Sequence, residues 1–291
     1  MQPHVLIIGC GDLGAAVAHQ LKQHNIQVTG VKRSQGDIPG IAVINADVTQ
    51  PSSLTALSHL KPQIILYCVA AGGQTDAQYK AIYVDGLDNV LKTQVSNTSL
   101  KHVFFVSSTR VYGQQTDQVL DEAVQPVPSD FGGERLLQAE QLLSRAAKGS
   151  YQSTVLRLSG IYGPGRLRMI RLAETGQWPE HDSWSNRIHR DDAASFISYL
   201  IKKVFAGEPV AEHYIVTDNE PVRQYEVLGW IAQQLHVTIS DVSKQQSTTD
   251  LSGKRLNNAA LRASGYELQY PNYQAGYGAL IANLETKVTH D

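Results

Sequence analysis

"HVLIIGCGDLGAAVAHQLKQHN", residues 4–25, decides the fold. A short apolar run ends in glycine and reads as a strand. From Leu13 the spacing becomes helical, with Leu13, Val17 and Leu21 one turn apart. Ala15, Ala16 and Ala18 let this helix pack closely on a sheet. Gly9, Gly11 and Gly14 stand between strand and helix in G-x-G-x-x-G spacing. Gly9 permits the tight turn, Gly11 lets the backbone approach a diphosphate, and Gly14 lets the helix lie against the strand. The N–H groups and dipole of a helix start suit phosphate oxygens. Gly9, Gly11, Asp12, Leu13 and Gly14 are therefore the residues expected at a dinucleotide diphosphate.

Working outward, "IQVTGVKR", "IAVINADV", "PQIILYCVAA", "KHVFFVSS" and "YQSTVLRLSG" read as further strands. Between them "PSSLTALSHLK", residues 78–95 and the stretch after "FGGER" read as helices. Leu87, Val90, Leu91 and Val95 form the apolar face of the 78–95 helix. Leu136, Leu137, Leu142 and Leu143 mark the one after "FGGER". Strand and helix alternate without internal repeats, which predicts an α/β fold with a doubly wound parallel (Rossmann) sheet covered on both faces. Residues 1–160 are expected to form an NAD(P)-binding domain. Residues 161–291, richer in Gly, Pro, Trp and Arg, are expected to form a smaller C-terminal substrate lobe, with parts of about 189–220 returning to the main sheet. There "EHYIVTDNEP" reads as a strand, "YEVLGWIAQQL" as a helix, and the tail as a short helix with an irregular finish.

Bulk properties narrow the function classes. The chain has 291 residues, 42% hydrophobic and 18% charged, with a net charge of −2. This composition suits a soluble globular protein. No basic run offers a footprint for nucleic acid or anionic lipid, so neither partner is expected. No apolar stretch reaches membrane-spanning length. The first residues enter a strand without a basic and then long apolar leader, so a cytoplasmic setting is expected. Cys10 and Cys68 read as small buried side chains of a reducing compartment. They lack paired zinc spacing and the ten histidines form no HExxH, so no metal is expected.

Beyond the glycine turn, an NAD-selective site places Asp or Glu at the end of the second strand to grip the ribose 2′-hydroxyl. Lys32 and Arg33 stand there instead and suit either a 2′-phosphate or solvated charges at a strand end. NADP is therefore favoured over NAD. Asp47 and Val48 after the third strand, and Ala70 and Ala71 after the fourth, would lie near the adenine and the inner ribose. The same four residues also suit a turn acid and small packing groups.

"VSSTRVYG" (106–113), "VLRLSGIYGPG" (155–165), "NRIHRDDAA" (186–194) and "YIVTDNEPV" (214–222) follow in that order. Together with the glycine turn they resemble extended short-chain dehydrogenases/reductases, the NAD(P)-dependent sugar-nucleotide epimerase/dehydratase group, over nearly the whole chain. The resemblance implies a cofactor across the C-terminal edge of the sheet and a small-molecule substrate between two lobes. It also implies a catalytic tyrosine, a lysine four residues later, and a Ser or Thr at the end of the fifth strand that bonds the reacting oxygen. Ser108 takes the last position, where a serine also suits a bond to backbone at a strand end. Phe131 and Arg135 in "FGGER" fall where the tyrosine and lysine belong. Phenylalanine keeps the shape without the proton donor. Arginine can bond a ribose, but its pKa is too high for a proton relay. The chain thus resembles the atypical branch of the superfamily that lacks the catalytic tyrosine.

Other positions also depart from the group. Gly160 stands where sugar-nucleotide enzymes often carry a substrate-contacting Asn, and Tyr83 where many relatives have Asn. The 163–187 connection is short. Arg166, Arg168, Arg171 and Arg187 suit either a clamp on a substrate anion or a solvated face. Trp178 and Trp184 suit a pocket lining or core packing. With Ser108, the residues expected at the substrate are Gly160, Arg166, Trp184 and Arg187. His189 is expected to brace its strand end, and Asp191 or Asp192 to cap the helix that follows. The helices at roughly 78–95 and 133–147 suit a homodimer interface or burial within one chain. Two functions stay open: an oxidoreductase or epimerase acting on a small hydroxyl or keto compound, sugar-derived compounds included, or a non-catalytic NAD(P)-binding sensor or regulatory protein.

Overall fold

A computed structural model describes residues 2–238 and 252–288. In chain order, β1 (His4–Ile8) leads through α1 (Asp12–Gln23) to β2 (Gln27–Lys32), β3 (Ala42–Asn45) and β4 (Ile64–Tyr67). Next come α2 (Asp76–Tyr79), α3 (Gly86–Thr93), β5 (His102–Ser108), α4 (Phe131–Ala147) and β6 (Gln152–Leu158). The chain continues with α5 (Arg168–Thr175), α6 (Arg190–Phe205), β7 (His213–Val216), α7 (Gln224–Gln234), α8 (Ala259–Ala263) and α9 (Tyr273–Val288).

The main sheet has seven strands in the order β3-β2-β1-β4-β5-β6-β7. Parallel registers pair His4 with Gln27, Val5 with Ile64, Ile64 with His102 and Thr29 with Ala42. The order reverses beside β1, the point where such sheets open a crevice at the carboxyl ends of their strands. Val5 to Ile8 and Ile64 to Tyr67 are fully buried, so these strands are covered on both faces. The chain divides into two compact units. The first comprises residues 1–113, 125–157 and 193–214, and the second 114–124, 158–192 and 215–291.

Helix details depart from the sequence pattern where side chains compete for the backbone. Residues 51–59 form a 3-10 helix. Ser53, Thr55 and Ser58 each donate a hydroxyl to the carbonyl three residues back, which tightens the run. The predicted 78–95 helix is interrupted by a π-helical segment at Lys80–Asp85 and ends at Thr93. Leu87, Val90 and Leu91 are buried as expected, but Val95 is 86% exposed. Gln94 takes the interior place instead, donating to the Leu57 carbonyl at 2.7 Å. Leu136 and Leu143 are buried within the first unit, while Leu137 and Leu142 are half-buried.

A buried polar network lies beneath the "VSSTRVYG" motif. Arg157 and Glu140, 4% and 3% exposed, pair at 2.7 Å. Ser107 donates to Glu140 at 2.6 Å, and Arg157 donates to the Tyr112 hydroxyl at 2.6 Å. Every member has a partner, the condition under which a buried ion pair is tolerated. His102 is also buried. Thr154 spends its proton on the Ala211 carbonyl, so its oxygen accepts from His102 Nε2 at 3.0 Å. Nδ1 is left without a partner. Burial alone lowers the His102 pKa to about 4.

Among the described residues, the second unit contains three two-stranded ribbons. Gly160–Tyr162 runs parallel to Arg187–His189, Trp184–Ser185 antiparallel to Val222–Arg223, and Val119–Leu120 parallel to Arg255–Leu256. Its core joins Ile170 of α5, Val227 and Ile231 of α7, and Tyr277 and Ile281 of α9. The irregular finish expected for the tail is instead α9 up to Val288. Asn272 Oδ1 caps its first turn by accepting from the Ala275 N–H at 3.0 Å.

Two measurements test this account. Glu140→Gln strands the Arg157 charge and should cost about 3–5 kcal/mol in urea denaturation, whereas Glu140→Leu with Arg157→Met should recover most of that loss. The His102 contribution should be complete above the unfolded pKa of 6.5 and fade as pH falls towards about 4. The stability difference between wild type and His102→Gln should shrink by about 2–3 kcal/mol between pH 7.5 and 4.5. A pH-independent difference would contradict the buried neutral imidazole.

Candidate active site

Parallel strands place their carboxyl ends on one edge, and the first unit gathers there nearly all the expected cofactor residues. Gly9 has φ +91°, and a Cβ on it would lie 2.7 Å from the Cys68 carbonyl group and the Val69 nitrogen. A Cβ on Gly14 would meet the Gly9 oxygen at 2.5 Å. Gly11 differs, since a Cβ there would find nothing within 4 Å. The first two glycines are demanded by packing, and the third leaves open space at a helix start that no side chain caps. Asp12 is exposed there, while Leu13 is buried. This cradle fits a diphosphate.

The neighbouring loops extend the same edge. Lys32 is half-buried and Arg33 exposed, and Asn45 fastens their loop by donating to the Ser34 carbonyl at 2.9 Å. The Arg33 guanidinium lies 3.7 Å from the place a Gly72 Cβ would take. Asp47 is pushed up by burial, but bonds from the Thr49 N–H and hydroxyl, with the Arg33 charge, outweigh that and lower its pKa. Val48 is buried, and its carbonyl accepts from Asn89 at 2.9 Å. Ala70 is exposed. The Ala71 N–H donates to the Tyr83 hydroxyl at 3.3 Å, so Tyr83 supports the loop after β4. Cys68 donates its thiol to the Gly9 carbonyl at 3.3 Å. Burial pushes the Cys10 thiol up to about 11, against the pull of Lys32.

Ser108 ends β5, and its hydroxyl oxygen accepts the Arg110 N–H at 3.2 Å. That contact uses a lone pair and leaves the hydroxyl proton to donate. Phe131 and Arg135 open α4. Asp130 caps this helix, accepting from the Gly133 N–H at 2.9 Å. The Phe131 ring meets Tyr79 edge-on at 5.5 Å, and the Arg110 guanidinium lies 5.3 Å from its centroid. Arg110 also donates to Asp130 at 2.9 Å and to the Tyr79 hydroxyl at 2.9 Å. Burial raises the Asp130 pKa, but the Gly133 N–H and Arg110 overcome this and hold the carboxyl low. Arg135 forks onto Asp76, with contacts of 2.7 and 2.9 Å. It holds that carboxyl below the usual range.

Sequence reasoning missed Arg110, Tyr79, Asp130 and Asp76, and its signal was the glycine pair in "FGGER". A Cβ on Gly132 would strike the Arg110 guanidinium, and one on Gly133 would lie 2.6 Å from the Arg110 carbonyl oxygen. Two glycines in a first helical turn are otherwise unfavourable.

In the second unit, Gly160 is exposed and donates its N–H to the Asn186 carbonyl at 3.2 Å. Arg166 is exposed, and its N–H closes a turn onto the Gly163 carbonyl. Trp184 is half-buried under the Arg255 guanidinium, 5.1 Å from the ring centroid. Arg187 is 3% exposed and faces Asp218. His189, 2% exposed, packs between Tyr162 and Tyr270. Asp192 accepts from the N–H groups of Gln269 and Tyr270, both at 2.8 Å, and so anchors a loop. Among the described residues no group of three or more His, Cys, Asp or Glu could hold a metal ion. No described helix is long and apolar enough to cross a membrane.

Comparison with known proteins agrees with this fold. A structure from Methylobacillus flagellatus, assigned as an NAD-dependent epimerase/dehydratase, is 46% identical with a TM-score of 0.87, covering 98% of this chain and 100% of its own. The UDP-glucose 4-epimerase of Thermotoga maritima, solved with UDP-glucose, shares the fold at 15% identity and a TM-score of 0.78, with 97% and 99% coverage. The 2′-dehydrokanamycin reductase of Streptomyces kanamyceticus is 25% identical over 66% of this chain and 56% of its own length. A decarboxylating sterol-4-alpha-carboxylate 3-dehydrogenase of Schizosaccharomyces pombe is 22% identical over 57% and 52%. The chain thus spans about half the length of these two curated relatives. The family model for NAD-dependent epimerases/dehydratases matches residues 5–225. With that match over most of its length, the chain belongs to the NAD-dependent epimerase/dehydratase family.

Proposed function

We propose that the protein is an NAD(P)-dependent oxidoreductase acting on a small hydroxyl or keto compound, with NADP preferred over NAD. The open face of Gly11 beneath the uncapped start of α1 carries this reading. The nicotinamide dinucleotide would supply or accept hydride. Backbone N–H groups of the first turn would hold its diphosphate, and Lys32 with Arg33 a 2′-phosphate. Ser108, its oxygen fixed by the Arg110 N–H, would donate its free proton to the substrate oxygen and polarise it. Phe131 has no proton to give, and Arg135 is committed to Asp76, so Ser108 or water is left to mediate proton transfer. A second reading, a dinucleotide-binding sensor or regulatory protein with little turnover, is favoured by the same Arg135–Asp76 fork. It draws the cation at the family's lysine position into a surface ion pair.

Gly11→Ala should fold, losing no more than about 1 kcal/mol at the N-cap of α1, and lose nucleotide affinity by more than ten-fold in calorimetry, whereas Gly9→Ala should fail to fold. Arg33→Ala should weaken NADPH by about ten-fold or more and leave NADH unchanged. An unaltered NADPH/NADH ratio would remove Arg33 from the account. Phe131→Tyr with Arg135→Lys should raise reductase turnover on a surrogate carbonyl compound by about ten-fold or more. No gain with NADPH still bound would favour the sensor.

A further inference from the structure

The second unit turns three polar side chains into a place closed to solvent. Tyr162 is 4% exposed, Arg187 3% and Asp218 1%. Each keeps one polar atom without a hydrogen-bond partner: the Tyr162 hydroxyl, Arg187 Nη1 and Asp218 Oδ2. Their neighbouring atoms are already engaged. Arg187 Nη2 donates to the Ser185 carbonyl at 3.1 Å, Asp218 Oδ1 accepts from the Glu220 N–H at 3.2 Å, and the Asp218 N–H donates to the Arg187 carbonyl at 2.7 Å. Arg187 Nη1 and Asp218 Oδ2 stand 3.8 Å apart, too far for a direct hydrogen bond. Tyr162 lies within electrostatic reach of both charges.

An unmade hydrogen bond on a buried group is costly, and three on side chains that feel one another's charge call for a shared partner. Water satisfies groups held at such a separation, provided that it finds two to four polar neighbours. We propose that a single buried water molecule bridges Arg187 Nη1, the Tyr162 hydroxyl and Asp218 Oδ2, accepting from the first two and donating to the third. All three orphan atoms are then paired.

The surrounding walls fit this assignment. α9 supplies Tyr277, stacked on Tyr162 at 4.4 Å, and Tyr273, whose ring centroid lies 5.7 Å from the Arg187 guanidinium. Between them Gly276 leaves room for the Tyr162 hydroxyl, since a Cβ there would overlap it. Burial pushes Asp218 up to about 7 while Arg187 pulls it down. A water proton directed at Oδ2 adds to the pull of Arg187 and holds the carboxylate ionised. The bridge fastens the Arg187–His189 strand to the segment after β7. There Asn219 lines an open cleft of about 330 Å³ together with Arg262, Tyr266, Leu268 and Pro271.

Tyr162→Phe tests the proposal by sign. Removing a hydroxyl that lacks a partner relieves a penalty and leaves stability equal or higher, whereas removing one that is bonded to water lowers it. Urea denaturation of the full chain should show the folding equilibrium constant of Tyr162→Phe falling about ten-fold, or about 1.4 kcal/mol. A high-resolution crystal structure should show density within about 2.6–3.2 Å of all three atoms. The same crystals soaked in bromide should give no anomalous peak there. Unchanged or increased stability of Tyr162→Phe would overturn the proposal. So would direct contact of Arg187 with Asp218 and no density between them, or a bromide peak marking an anion site.

Discussion

The first crossover depends on a backbone approach too close for any side chain. β1 ends against the start of the loop after β4, where the Cys68 carbonyl and the Val69 nitrogen leave no room for a Cβ on Gly9. The following helix returns so tightly that Gly14 lies over the Gly9 oxygen. These two contacts fix the angle at which α1 leaves the sheet. They aim its uncapped first turn along the strand ends. Gly11, the one glycine of the three with free space around it, is then the point where a ligand can replace a missing side chain.

The "VSSTRVYG" segment faces two ways. Ser107 and Tyr112 turn inward, to Glu140 and Arg157, and lock β5 to α4 and β6 through a fully paired network. Ser108 remains half-buried at the strand end with a proton to donate. Arg110 connects this site to the start of α4, since it bonds the capping Asp130 and Tyr79 and lies over Phe131. The aromatic and the cation that open α4 are thus engaged in packing and ion pairing.

Periodicity made the architecture legible. Apolar strands ending in glycine or small residues, alternating with helices, led directly to the parallel sheet, and the G-x-G-x-x-G spacing marked the tight turn from β1 into α1. What escaped the sequence depends on contacts between distant residues. Arg110 and Asp130 are twenty residues apart, and Asp76 and Arg135 fifty-nine. No local pattern announces either pair. The glycine pair in "FGGER" was a visible trace whose cause was not. Val95 continued an apolar stripe on paper, but the helix ended at Thr93 because Gln94 had a buried carbonyl to bond. The α9 helix was obscured by Gly276 and Gly278, of which Gly276 is required by the Tyr162 hydroxyl.

The two cysteines beneath the glycine turn carry a chemical consequence. Cys68 spends its proton on the Gly9 carbonyl, and burial pushes both thiols well above neutral pH. Alkylating agents and peroxides react with the thiolate, a form these two side chains scarcely populate. Sulfur beside the cradle thus keeps its proton, and in Cys68 that proton ties the loop after β4 to the glycine turn.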